Sequence, residues 1–210
     1  YIVQEAPNGL AEAYILAETF LAGHPSALIL GDNIFYGDGL PELLSSVDSI
    51  VEGGTVFGYR VSDPERYGVV GFDAAGRANS LVEKPANPVS NYAVTGLYFL
   101  DNRASERAKT IAPSARGEIE ITSLLELYLE EGSLTVKKLS RGYAWLDTGT
   151  HASLLDAGNF VRTLQDRQGL LVGSPDEIAY DKSWISSAQL KKVIEAFGKN
   201  SYGAYFAAKL

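Results

Sequence analysis

The sequence predicts an α/β fold built on a parallel sheet, and three observations predict it. Ala27-Leu28-Ile29-Leu30 is a continuous apolar run that breaks into Gly31-Asp32-Asn33, the pattern of a strand buried on both faces. Strand and helix patterns alternate as far as Val61, an order that favours parallel pairing. Asp32 closes its strand at the carboxyl end, where open parallel sheets bind ligands.

In chain order, Tyr1-Ile2-Val3-Gln4 reads as a strand end and Glu5 to Gly9 as a loop. Asn8 stands where it could cap a helix running from Leu10 to about Ala22, with apolar positions at 10, 13, 14, 17, 20 and 21. Gly23 and Pro25 end that helix. The strand into Asp32 follows, then a helix near Pro41–Val47 and a strand at Thr55–Val61.

Tyr67–Phe72 and Asn79–Glu83 flank Asp73-Ala74-Ala75-Gly76, a hairpin signal. Lys84-Pro85 to Ser90 is a loop and Val94–Leu100 a core strand. A helix at Ile119–Glu131 leads to strands at Leu134–Leu139 and Tyr143–Leu146. From Thr150 the pattern is helical, with Leu154, Leu155, Ala157, Phe160, Val161 and Leu164 on one face, then Pro175–Ile178, Ser187–Phe197 and Tyr202–Leu210. The expected organisation is an α/β domain over residues 1–150 and a helical tail over 151–210, packed on the same body.

Composition narrows the function. Hydrophobic residues make up 46% and charged ones 21% of 210 residues, so the chain is globular. A net charge of −8 argues against duplex DNA as partner, but not against small phosphates, because a bound cation inverts the local field. With no cysteine and two histidines, His24 and His151, a disulfide frame, a thiolate zinc site and a nucleophile triad are not readable. No apolar run nears the roughly 18 residues of a membrane span and no signal peptide opens the chain, so a cytoplasmic protein is expected. The chain starts at Tyr1 and contains no methionine, from which a missing N-terminal portion is also expected.

Several stretches can carry chemistry. Trp145-Leu146-Asp147-Thr148-Gly149-Thr150 repeats the logic of the Asp32 stretch: an apolar strand ends in an acid. Asp32 and Asp147 could share one Mg²⁺, which takes one or two carboxylates plus phosphate oxygens, or serve as turn and cap residues. In Val82-Glu83-Lys84-Pro85, proline biases Lys84 to an extended conformation at a strand end. There an ammonium suits a phosphate and Glu83 suits sugar hydroxyls; a surface ion pair is the alternative. Arg116 sits beside Gly117 on a loop, placed for a bidentate phosphate contact or simply exposed. Gly68 within Arg66-Tyr67-Gly68-Val69-Val70 suggests close approach by a ligand, or a bulge.

Taken together, Gln4, Pro7-Asn8-Gly9-Leu10-Ala11, Leu30-Gly31-Asp32-Asn33-Ile34-Phe35, Tyr67-Gly68-Val69-Val70, Glu83-Lys84-Pro85, Asn91 to Tyr98, Arg116-Gly117-Glu118 and Trp145 to Thr150 occur in this order. Over essentially the whole chain this series resembles the sugar nucleotidylyltransferases, specifically the glucose-1-phosphate thymidylyltransferases. It departs at Asn8, commonly Asp in that family, and at Val82, commonly Glu.

The resemblance implies a Rossmann-like nucleotidyltransferase sheet with a C-terminal helical appendage. It also implies Mg²⁺-dependent transfer of a deoxythymidylyl group from dTTP to glucose 1-phosphate. The products would be dTDP-glucose and pyrophosphate, on the path to dTDP-rhamnose, made by a cytoplasmic homotetramer with no nucleic-acid or membrane partner. Carried over residue by residue, Gln4 and Gly9 resemble base-reading positions, and Asp32 and Asp147 the magnesium ligands. Gly68, Glu83 and Val94 resemble the sugar-binding set, and Lys84 and Arg116 the groups that hold the sugar phosphate.

The family's opening G-G-x-G-T-R-L-x-P loop and the lysine after it have no counterpart in these 210 residues. That loop supplies donors for the leaving pyrophosphate, so the sheet is expected to be incomplete and this fragment alone inactive. Two other functions stay open on sequence: a nucleotidylyltransferase using UTP or CTP, and a non-catalytic sugar-nucleotide-binding protein.

Overall fold

A computed structural model describes residues 1–48, 52–198 and 200–210. Two compact units divide the chain, Tyr1–Ser153 and Leu154–Leu210. The first is α/β. It opens with two short helices, α1 (Glu12–Leu16) and α2 (Glu18–Leu21), then β1 (Ser26–Ile29), β2 (Asn33–Gly37), α3 (Leu40–Asp48) and β3 (Gly54–Arg60). β4 (Gly68–Phe72), β5 (Ala78–Glu83) and β6 (Tyr92–Leu100) follow, then α4 (Ala104–Ala108), α5 (Ile121–Glu130), β7 (Leu134–Lys138) and β8 (Tyr143–Asp147).

The sheet is mixed rather than parallel. Its order is β5-β4-β6-β3-β7, with β1 also on β6. Among the described strands only β3 and β7 pair in parallel, while β1–β6, β3–β6, β4–β5 and β4–β6 are antiparallel. The local cause is the tight turn after β4, where Asp73 Oδ1 accepts from the Ala75 and Arg77 amides at 2.9 and 2.8 Å and folds β5 straight back.

β6 is the spine. One of its edges is taken by β3. On the other, β4 meets Ala93 and β1 pairs from Leu97 to Leu100. Between those two partners the edge opens, and a ligand-sized space becomes available at Val94 and Gly96.

The strand expected to be buried on both faces alternates instead, with Ile29 58% exposed. β1 pairs only with β6 among the described strands, so one edge and one face stay open. The helix expected from Leu10 to Ala22 breaks at Ala17 and closes on a left-handed Ala22 at φ 49°. Asn8 does not cap it; its amide donates to Glu12 Oε1 at 3.0 Å. The stretch before the helix is pinned elsewhere: Ile119 N–H donates to Asn8 O at 2.6 Å and Ala11 N–H to Ile119 O at 3.0 Å.

One core cluster gathers Tyr14, Val56, Val70, Tyr98, Leu100, Leu124, Leu125 and Tyr128. Asp101, 3% exposed, sits at its edge and accepts hydrogen bonds from Tyr128 Oη, Arg103 and the Gly53 amide. Burial alone would push the Asp101 carboxyl up, but these donors outweigh it and hold it below its ordinary range.

The second unit is helical. α6 (His151–Gln168) leads into it from the first unit, and α7 (Pro175–Asp181), α8 (Ser187–Phe197) and α9 (Ser201–Lys209) complete it. Ser186 caps α8 through a full capping box with Gln189. Tyr202 packs between Phe197 and Phe206. Leu154 and Leu155, expected on an apolar face, are 58% and 65% exposed.

Candidate functional site

A cleft of about 290 Å³ opens where β1 and β4 part from β6. Asp32, Gly68, Glu83, Lys84, Val94, Arg116 and Asp147 all line it. These are seven of the nine positions singled out by resemblance. Chain topology explains the convergence: Asp32 follows β1, Gly68 starts β4, Glu83 ends β5, Val94 lies on β6 and Asp147 ends β8.

Asp32 and Asp147 meet through a strand that the sequence did not announce. β2 pairs with β8 antiparallel, setting Asn33 opposite Asp147, and Thr148 N–H donates to Asp32 O at 2.9 Å. Asp32 Oδ1 accepts from Asn33 Nδ2 at 2.8 Å and Asp147 Oδ1 from Gly149 N–H at 3.1 Å. No described hydrogen bond uses either Oδ2; Arg66 Nη2 stands 3.9 Å from that of Asp147. A Cβ added to Gly149 would lie 3.7 Å from Asp147 Oδ2 and 3.8 Å from Asp32 Oδ2. The two Oδ2 oxygens therefore border one space that glycine leaves open. Among the described residues no group of three or more acids, histidines or cysteines is arranged to hold a metal ion. Two carboxylates with room for phosphate oxygens fit Mg²⁺.

Asn33 fixes this corner. Its Oδ1 accepts from Gly96 N–H at 3.0 Å and Trp145 Nε1 at 2.6 Å, which orients the amide so that Nδ2 faces Asp32. Tyr67 packs edge-on against Trp145, with ring centroids 5.2 Å apart.

Two expectations need correction. Lys84 is not extended: its φ is 42°, in the left-handed region. Its amide continues the β5–β4 ladder by donating to Tyr67 O at 3.0 Å, and the chain turns at Lys84 itself. A non-glycine residue held there is strained, a state that clusters at functional sites. The ammonium is half exposed, 3.9 Å from Glu83 Oε1.

Arg116 is not a free loop side chain either. Its Nε and Nη2 dock on Glu120 at 2.8 to 3.2 Å, and Nη2 lies 3.5 Å from Glu83 and 3.4 Å from Glu118. Glu120 first, with Glu118 and Glu83 adding to it, holds the guanidinium above its ordinary range. Glu120 takes the Nε–Nη2 edge, so a bidentate phosphate contact through that edge is unavailable in this state.

Glu83 is itself held by Thr122 Oγ1. A Cβ on Gly68 would come within 3.1 Å of that hydroxyl and 3.4 Å of Glu83 Oε2. The close approach expected at Gly68 is made by these side chains.

Gln4 and Gly9 lie outside the lining. The Gln4 amide donates to Gly9 O at 3.1 Å and to Glu12. Asn8 first and then Gln4 keep the Glu12 carboxyl below its ordinary range. Gly9, at φ 105°, has no room for a side chain against the Ile119 backbone.

Sequence reasoning missed Asn33, Thr122, Trp145 and Glu120 as lining residues. Asn33 and Trp145 carried a local signal, Asn33 beside Asp32 and Trp145 on the strand into Asp147. The others enter through tertiary pairing.

The nucleotidyl transferase family model matches residues 1–163, and the chain belongs to that family. Within it, curated relatives at about 50% identity are named glucose-1-phosphate thymidylyltransferases. That of Xanthomonas campestris pv. campestris (strain B100) is 53% identical over 208 residues, covering 99% of this chain and 70% of the relative. That of Mycobacterium tuberculosis (strain CDC 1551 / Oshkosh) is 51% identical over 205 residues, covering 98% of this chain and 71% of the relative.

A solved Bacillus anthracis structure, named for the same activity and in complex with a sucrose, superposes with a TM-score of 0.68 at 40% identity. It covers 77% of this chain and 64% of the other. A UDP-glucose pyrophosphorylase at 24% identity, covering 78% of this chain and 65% of its own, has a TM-score of 0.70 and shares the fold. The chain thus spans about 70% of the length of the curated relatives and less than two thirds of the solved ones.

Proposed function

We propose that the cleft binds glucose 1-phosphate and serves its conversion, with dTTP, to dTDP-glucose and pyrophosphate. The observation that carries this reading is the convergence of Asp32, Gly68, Glu83, Lys84, Val94, Arg116 and Asp147 on one cleft. The names of the relatives support the same substrates.

The lining holds five carboxylates (Asp32, Glu83, Glu118, Glu120, Asp147) against three cations (Arg66, Lys84, Arg116). Left alone, such a surface repels a phosphate dianion. A divalent cation on Asp32 and Asp147 reverses that balance. When bound, Mg²⁺ would offset charge on the phosphate oxygens as pyrophosphate leaves.

The protein's own groups then have distinct tasks. Lys84 and Arg116 hold the sugar phosphate, and Glu83, aimed by Thr122, accepts from sugar hydroxyls. The attacking phosphate is already ionised near neutral pH, so no general base is required. Positioning and charge neutralisation supply the catalysis.

The resemblance supports two finer points of the same proposal: assembly as a cytoplasmic homotetramer, and a place in dTDP-rhamnose synthesis. Among the described helices none is long and apolar enough to cross a membrane.

The test is competition among dTTP, UTP and CTP for glucose 1-phosphate, using protein from the complete reading frame that contains this chain. Preferential use of dTTP supports the reading. Preference for UTP or CTP reassigns the base. Binding of dTDP-glucose without turnover of any nucleotide replaces the enzyme with a binding protein.

A further inference from the structure

We infer that Glu120 is a positioning residue of this site, docking one edge of the Arg116 guanidinium so that Nη1 remains as a single-ended donor to the sugar phosphate. The inference rests on the reading of the cleft given above.

Four observations carry it. Glu120 is 7% exposed, and a buried carboxylate must be partnered. Its partners all come from the loop just before it: Ser114 Oγ at 2.7 Å, Arg116 Nε at 3.2 Å, and Arg116 Nη2 at 2.8 and 2.9 Å to its two oxygens. Glu120 also occupies the N-cap position of α5 yet makes no side-chain cap hydrogen bond. A carboxylate at a helix start ordinarily accepts from the first turn's amides; this one is committed to the loop instead. Finally, no described hydrogen bond uses Arg116 Nη1, although the side chain lines the cleft and is 42% exposed.

The loop is built to keep that geometry. Ser114 N–H donates to Glu118 O and Gly117 N–H to Ser114 O, both at 2.8 Å, and Gly117 takes φ 80°. Arg116 is thus fixed at both ends, by backbone turn and by fork. Fixing a long side chain before the substrate arrives removes the ordering cost that binding would otherwise carry. Glu83 and Glu118 crowd the same Nη2 at 3.5 and 3.4 Å, so the docked edge is unattractive to a phosphate. Nη1 is the donor farthest from that competition.

The test is a double-mutant cycle in protein from the complete reading frame, with Glu120→Ala, Arg116→Ala and the pair, and with Glu120→Gln as the near-isosteric control. Misplacing a binding group by an ångström costs on the order of a hundredfold, so Glu120→Ala should raise KM for glucose 1-phosphate by roughly 10- to 100-fold. KM for the nucleotide should hold, and kcat should fall less than the sugar-phosphate affinity. Glu120→Gln, which keeps part of the hydrogen bonding, should fall between wild type and Glu120→Ala. In the Arg116→Ala background, removing Glu120 should add nothing.

Additive losses, or a Glu120→Gln enzyme with a lowered Tm and unchanged KM, would overturn the assignment. Failure of the underlying reading looks different: wild-type protein would not transfer any nucleotide to glucose 1-phosphate. Calorimetric titration of glucose 1-phosphate then decides for Glu120 separately. Weaker binding by Glu120→Gln than by wild type upholds positioning of a phosphate ligand, whereas equal affinity or no binding by either rejects it.

Discussion

Lys84 separates a binding role from a structural one more cleanly than any other residue of the cleft. Its only described ion pair, to Glu83 at 3.9 Å, joins side chains 48% and 26% exposed, and such pairs contribute less than about 1 kcal/mol. Its φ of 42° costs a non-glycine residue roughly 1–2 kcal/mol. Replacing it with glycine relieves that strain, which offsets the lost pair and the roughly 0.5–1 kcal/mol that glycine loses in backbone entropy. Lys84→Gly should therefore melt where wild type does, whereas Lys84→Ala keeps the strain and should melt slightly lower. Catalysis should respond alike in both. A charge-assisted hydrogen bond to the sugar phosphate contributes roughly 1.5–3 kcal/mol, which is a loss of about 10- to 150-fold in kcat/KM for that substrate. Lys84→Arg should rescue only in part, since a planar fork presents its donors differently from an ammonium. The assay is steady-state kinetics with glucose 1-phosphate and nucleotide varied separately, alongside thermal melts. An unchanged sugar-phosphate kcat/KM in Lys84→Gly would refute the binding role, and a clearly lowered Tm would refute the strain argument.

Other expectations concern the scaffold. The Asp101 carboxyl is depressed in the fold, so its contribution is complete above its unfolded value, about 3.9, and is lost as pH falls through the folded one. Asp101→Asn should flatten the acid limb of stability against pH, and at neutral pH cost on the order of 2 kcal/mol for the donors it strands; an unchanged acid limb argues against that linkage. Gly9→Ala puts a methyl into the Ile119 backbone at φ 105° and should destabilise by about 2 kcal/mol or more, read by denaturant unfolding. Gly96→Ala places its Cβ 2.6 Å from Asn33 Oδ1; it should displace Asn33 and quench or shift the emission of Trp145, which Asn33 holds at 2.6 Å.

What the sequence revealed and what it hid divide along a physical line. Motifs whose chemistry is local were legible: the acids Asp32, just after β1, and Asp147, at the end of β8, and the turn at Asp73. Strand direction was not, because the alternation of β and α patterns before Val61 does not encode the antiparallel return of β6 between β1 and β3. β2 was hidden by its own composition. Asn33 and Gly37 read as loop, and only pairing with β8 makes them a strand. Proline's bias on Lys84 yielded to the ladder bond from its amide to Tyr67. Arg116 was recognised as a cation, but the partner that sets its geometry, Glu120, lies four residues on at a helix start, where sequence alone suggests a cap.

The central claim is that Asp32 and Asp147 together hold the cation for nucleotidyl transfer to glucose 1-phosphate. The most direct measurement is pyrophosphate release from dTTP as a function of Mg²⁺, in protein from the complete reading frame, for wild type and Asp147→Asn. Release should require both glucose 1-phosphate and Mg²⁺. In Asp147→Asn the Mg²⁺ concentration for half-maximal rate should rise by roughly tenfold or more, with Tm preserved. Release by wild type without Mg²⁺, or an Asp147→Asn enzyme with an unchanged Mg²⁺ response, would contradict the account.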